Sequence, residues 1–196
     1  EVAWNARFMS AALEAAGIWL QADPEATQAR QVIAALLVNQ EKLEQAQPHL
    51  EQWIAADRAG AGQNFLQLSS LLARHKDKSA VLRLMQALAK PYADVAEARL
   101  AVAQAAWNAG NSQLTLDEAR AALELKPDWE LAALFQAQVL QRRSGEEGLQ
   151  FLADYLKRYP QARDVRLNYA RLLVSERRYD EARGQFGALL KAFPQN

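Results

Sequence analysis

Two histidines, three adjacent carboxylate pairs and two serines beside turns are the residues of this 196-residue chain whose types could do chemistry. His49 and His75 have no carboxylate or cysteine at ligand spacing, which is the pattern of solvated surface histidines rather than of a metal centre. Asp117–Glu118, Glu146–Glu147 and Asp180–Glu181 fall at or near the starts of expected helices, where negative charge favours the positive end of the helix dipole; general acid/base duty is the weaker reading. Ser144 and Ser175 lie in or beside expected turns without the context of a nucleophile elbow. "AGAG" at 59–62 lacks the lysine and the strand of a phosphate loop. The doublets Arg142–Arg143 and Arg177–Arg178 sit near helix ends, where they favour the negative pole. With no cysteine in the chain, thiolate metal sites, disulfides and cysteine nucleophiles are excluded together. No catalytic constellation assembles from these residues, so neither an enzyme nor a cofactor or metal site is expected.

The elements that carry these residues are helices. Hydrophobic residues make up 51% of the chain, supplied mostly by Ala and Leu, while Gly and Pro number only 8 and 6. That alphabet favours helix over sheet. Lys and Arg together number 23, as do Asp and Glu, so no net field would draw the chain to nucleic acid or an anionic membrane. The longest apolar run, Val32 to Val38, is far short of the roughly 20 residues that cross a bilayer. The sequence opens on Glu1 with no signal-peptide pattern, and is expected to be a processed or trimmed piece.

Pro160 in "LKRYPQAR" and Pro194 in "LKAFPQN" stand 34 residues apart, and the interval recurs. Small residues at Ala34, Ser69, Ala103, Ala137 and Ala170 keep one register, as do large ones at Trp53, Met85, Tyr155 and Phe186. Small residues let the first helix of each pair approach the second, and large ones fill the space between successive pairs. Pro24, Pro91, Pro127, Pro160 and Pro194 fall where second helices must end. Pro127 to Pro160 is one residue short of the period, which places a deletion in the "RRSGEE" turn.

This pattern resembles the tetratricopeptide repeat, a 34-residue helix-turn-helix unit, and "ALELKPD" and "RYDEA" are close to family consensus strings. The resemblance covers almost the whole chain and implies an all-α fold of about 11 helices, a right-handed superhelical solenoid. Residues 1–24 would be the second half of a partial repeat, followed by five full repeats at 25–58, 59–93, 94–128, 129–161 and 162–196. The expected helices cover about 2–21, then pairs at 25–39 and 42–57, 62–74 and 77–89, 94–109 and 112–125, 129–142 and 146–158, and 162–176 and 179–192. Pro48 falls inside one of them, near enough to its first turns to kink rather than break it.

In this family the first helices line a concave face that binds peptides or partner helices. Carried over residue by residue, that groove contains Arg74, Leu100, Gln104, Trp107, Asn108, Leu134, Gln138, Arg142, Leu167 and Arg171, with Val38, Leu131 and Val174 among its further lining positions. Trp107 is the expected anchor, Leu100, Leu134 and Leu167 an apolar floor, and Gln104 and Gln138 backbone partners for a bound chain. The Lys and Asn clamp by which some relatives grip a chaperone's C-terminal carboxylate is missing: its slots hold Gln31, Ala35, Gln67, Glu97 and Ala101. The phrasing of "LQFLADYLKRYPQARDVRLNYARLLVSERRYDEARGQF" is similar to envelope tetratricopeptide-repeat lipoproteins of Gram-negative bacteria, some of which act as adaptors between a processing protease and cell-wall hydrolases. The resemblance implies a non-enzymatic scaffold with a protein or peptide partner, on the periplasmic side of the envelope or else cytoplasmic. The other class is a structural spacer that self-associates through an uncapped first helix bearing Val2, Trp4, Phe8 and Met9.

Overall fold

The computed structural model describes residues 2–193, with side chains from residue 8 onward; Pro194, and the side chains of Val2 and Trp4, lie outside the described residues. Eleven α-helices and no strand are found among the described residues. They form two compact units, 1–111 and 112–196, divided between the two helices of the expected repeat 94–128.

In the first unit the helices are α1 (Val2–Ala22), α2 (Thr27–Asn39), α3 (Leu43–Ala56), α4 (Ala61–Leu72), α5 (Lys78–Ala89) and α6 (Ala96–Asn108), with a 3-10 turn at Lys90–Tyr92. α2 and α3 pack closely because Ala34 and Ala46, small and fully buried, leave room for the backbones to approach. Phe65, Leu68, Leu50, Ile54 and Met85 fill the core, each burial stabilising by about 1.5–3 kcal/mol. The expected pair of α4 and α5 is looser than that of α2 and α3: each packs most closely on α6 instead. Phe65, Leu68 and Met85 belong to one buried core, and the small Ser69 beside Leu68 in α4 is half-buried. Six of the eight buried residues of α6 are alanine, so this helix is thin enough to be enclosed on several sides.

The second unit contains α7 (Ser112–Leu125), α8 (Glu130–Arg143), α9 (Gly145–Arg158), α10 (Arg163–Ser175) and α11 (Tyr179–Ala192). Its core is Leu149, Leu152, Tyr155 and Leu156 of α9 against Ala133 and Ala137 of α8 and Val165, Tyr169, Leu172 and Leu173 of α10. The shortened turn is Ser144 alone, which ends α8 and caps α9 by accepting from Glu147 N at 3.4 Å. In the first turn of α9 that follows, Gly148 lies against the backbone of Gln141, where an added Cβ would stand 3.1 Å from Cα. Phe186 does not fill the core as expected. It lies one turn on from the buried Ala182 on the same face of α11, yet is 36% exposed.

All the described prolines but Pro48 lie outside α-helix interiors, where a missing N–H costs no helix bond. Pro24, Pro127 and Pro160 follow α1, α7 and α9, Pro91 sits in the 3-10 turn, and α3 runs through Pro48 unbroken. Two of the loops so formed are held by an arginine six residues on: Arg166 donates to the Pro160 carbonyl at 2.7 Å, and Arg30 donates to that of Pro24.

Candidate functional site

Several of the reactive side chains sit at helix starts or bond locally. Glu146 and Glu147 occupy the first turn of α9, and Asp180 and Glu181 that of α11, as the dipole argument expects. Asp117 and Glu118 lie one turn further into α7 than expected, and Asp117 accepts from Gln113 at 3.0 Å. Arg178 grips Glu181 through two bonds of 2.6 and 2.8 Å, an arrangement that lowers the Glu181 carboxyl and raises the guanidinium. Ser175 Oγ donates to the Leu172 carbonyl at 2.7 Å. Among the described residues no group of three or more His, Asp or Glu is placed to hold a metal, and no helix is long and apolar enough to cross a membrane.

The histidines are not solvated surface. His75 is buried in the turn between α4 and α5, where its Nδ1 accepts from Asp77 N at 3.2 Å. His49 is half-buried, and burial, followed by the charge of Arg30, holds it below the ordinary histidine range. It lines an apolar cleft of about 440 Å³ among α1, α2 and α3, beside Leu13, Leu20, Ile33 and Leu37.

The expected groove residues fall on first helices except Arg74, which lies in the turn just past the end of α4. In the second unit α8 presents Leu131, Leu134, Gln138, Gln141 and Arg142 as one row, exposed or half-buried, while Ala132, Ala133, Gln136, Ala137 and Val139 face inward. Its neighbour α10 presents Leu167, Arg171 and Val174 and buries Val165, Tyr169, Ala170, Leu172 and Leu173. Leu131 and Val174 are 49% and 43% exposed. In the first unit Trp107 and Gln104 of α6 are half-buried, and Asn108 and Arg74 are exposed. On the adjoining first helices, Gln31 of α2 donates to Gln67 of α4 at 3.5 Å. Two positions are corrected: Leu100 is 0% exposed and Val38 is buried, so neither offers a surface. Both face the interior because their helices bury residues on more than one side.

Sequence reasoning missed a cavity of about 470 Å³ in the second unit. It lies between α7 and α9 with Gln136 of α8 in its lining. The signal was present: Phe151, Tyr155 and Tyr159 recur every four residues on one helical face, and Gln136 is a polar residue among the buried alanines of α8. Burial, then the nearby Glu130, pushes the Tyr155 hydroxyl up to about 12.

The tetratricopeptide repeat family model matches residues 139–196. No curated protein matches the chain by sequence. Among solved structures, MamA from Desulfovibrio magneticus RS-1 superposes with a TM-score of 0.54 at 13% identity, covering 85% of this chain and 94% of its own. PilF of Pseudomonas aeruginosa gives 0.54 at 14% identity over 98% of this chain and 88% of its own. YrrB, described as a TPR protein with an unusual peptide-binding site, gives 0.52 at 14% identity over 94% and 95%. Residues 139–196 thus carry the tetratricopeptide repeat by sequence, and the chain has the fold of solved tetratricopeptide-repeat proteins.

Proposed function

We propose that the chain is a non-enzymatic protein-interaction scaffold that docks a peptide or protein partner along the outward rows of its first helices. The observation that carries this reading is the composition of the α8 and α10 rows. Exposed Leu131 and Val174 accompany amide and guanidinium groups on helices whose opposite sides are already buried. Apolar area beside planar hydrogen-bonding groups is the composition of interface anchors. The likeness to a peptide-binding protein of the same fold supports the class of ligand. Leu134→Ala with Val174→Ser should reduce partner capture from a lysate, measured by quantitative mass spectrometry, with helicity unchanged by circular dichroism. Unchanged capture would sink the assignment. The compartment we propose is the periplasmic side of a Gram-negative envelope, in assembly or proteolysis there, on the similarity of phrasing noted above; cell fractionation tests it.

Self-association is the second reading. Phe8 and Trp19 of α1, eleven residues apart and so on one helical face, are 69% and 44% exposed. A strict monomer by light scattering over a concentration series rules it out.

A further inference from the structure

We propose that α1 pairs antiparallel with α1 of a second copy of this chain, across a two-fold axis that passes between Ala11 and Ala15. The pairing rests on the self-association reading above and gives it a face, a direction and a register.

From Phe8 onward α1 is apolar nearly all round. Only Ser10, Glu14 and Gln21 are polar between Phe8 and Ala22, and at about 100° per residue they fall on one narrow strip. Leu13, Ala16 and Leu20 face the core of the first unit. On the far side Phe8, Ala11, Ala15, Ile18, Trp19 and Ala22 are all exposed, Ile18 by 61%. A helix that is apolar on both sides is a buried helix, so this outer face calls for a cover.

The spacing along the face matches a second copy of itself. Phe8, Ala11, Ala15, Ile18 and Ala22 advance by steps of three, four, three and four, which is the seam of a helix that packs lengthwise on another. From Phe8 to Ile18 the steps are three, four, three, the same in either direction. A second α1 laid antiparallel therefore sets Phe8 against Ile18 and Ala11 against Ala15, once on each side of the axis. The alanine layers let the two backbones approach closely, and each Phe8 ring enters the angle between Ile18 and Trp19 of the other copy. Antiparallel helices also oppose their dipoles, which a parallel pair would align. No charge lies on the seam to select a foreign partner; Glu14, the one charged residue from 8 to 22, stands on the polar strip at its edge. Covering the face in both copies removes roughly 1,000 Å² from water, the low end for a specific contact, so the dimer exchanges with monomer.

Association of the full chain is followed by light scattering over a concentration series, and Phe8→Ser is expected to weaken it about tenfold. The chain has no cysteine, so an introduced one reports its surroundings without background. Ala11→Cys and Ala15→Cys chains, one of them isotopically labelled, are mixed and oxidised, and the disulfide-linked dimers are weighed by mass spectrometry. The mixed dimer should exceed both homodimers well beyond the statistical ratio. Ala22→Cys should form none, because in this register the two copies of residue 22 lie about 27 Å apart at about 1.5 Å per residue, far outside disulfide reach. Phe8 and the three alanines are exposed in the single chain, so these changes spare the fold. A statistical ratio, efficient crosslinking of Ala22→Cys, or association indifferent to Phe8→Ser overturns the pairing while self-association stands. A strict monomer overturns both.

Discussion

The backbone N–H of Val165, in the first turn of α10, donates to Oε2 of Glu130 at 2.9 Å although the two residues are 35 positions apart. Ala162, at the N-cap of α10, has no side chain with which to cap it. An acid from the first helix of one repeat therefore caps the first helix of the next, which ties neighbouring repeats together by more than apolar packing. Glu130→Ala should cost about 0.5–2 kcal/mol in urea unfolding, and Glu130→Gln, which keeps an acceptor oxygen, less than half of that.

Two glycines of second helices should respond to the same substitution with opposite signs. Gly148→Ala places a methyl 3.1 Å from the Cα of Gln141, a backbone neighbour that cannot swing aside, and should destabilise by about 1–3 kcal/mol. Gly184 has nothing within 4 Å of the same methyl. Gly184→Ala should raise stability by about 0.5–1 kcal/mol through helix propensity alone. Thermal unfolding of both variants checks the pair.

The middle residue of three inter-helix turns adopts left-handed backbone: Glu41 at φ 61°, Gly110 at 77° and Arg177 at 59°. Only glycine does so without steric cost. Arg177→Gly is expected to stabilise by about 0.5–1 kcal/mol, and Gly110→Ala to destabilise by about 1 kcal/mol. A shift of the urea midpoint in the same direction for both would contradict the turn geometry.

Because His49 is held below its ordinary range, its neutral form is the one the fold favours. The unfolded chain takes up that proton first, near pH 6.5. The stability this provides is complete above that pH and is lost as pH falls through the folded value. Wild-type stability should therefore drop between pH 7 and pH 5, and His49→Gln should drop less over the same interval.

The helices were legible because Pro24, Pro127 and Pro160 end them physically and the apolar period persists between; each boundary lies within two residues of expectation. Gly110 revealed its turn, whereas Glu41 and Arg177 fill the same slot without any mark in their chemistry. Periodicity also places a residue on a face without saying how many neighbours that face meets. Leu100 and Val38 were assigned to a surface and are core, His75 was assigned to solvent and is buried, and Phe186 was assigned to the core and is exposed. The spacing of Phe151, Tyr155 and Tyr159 marked an aromatic face in the sequence, but the cavity it lines exists only once α7, α8 and α9 are in place.

The central claim, that the first-helix rows hold the partner, is tested most directly by site-specific photo-crosslinking in cells. A benzoylphenylalanine at Gln138 or Asn108, both exposed on first helices, should yield one discrete partner adduct, and the same group at Glu51, exposed on the second helix α3, should yield none. Adducts of equal intensity from all three positions, or from Glu51 alone, would contradict the account.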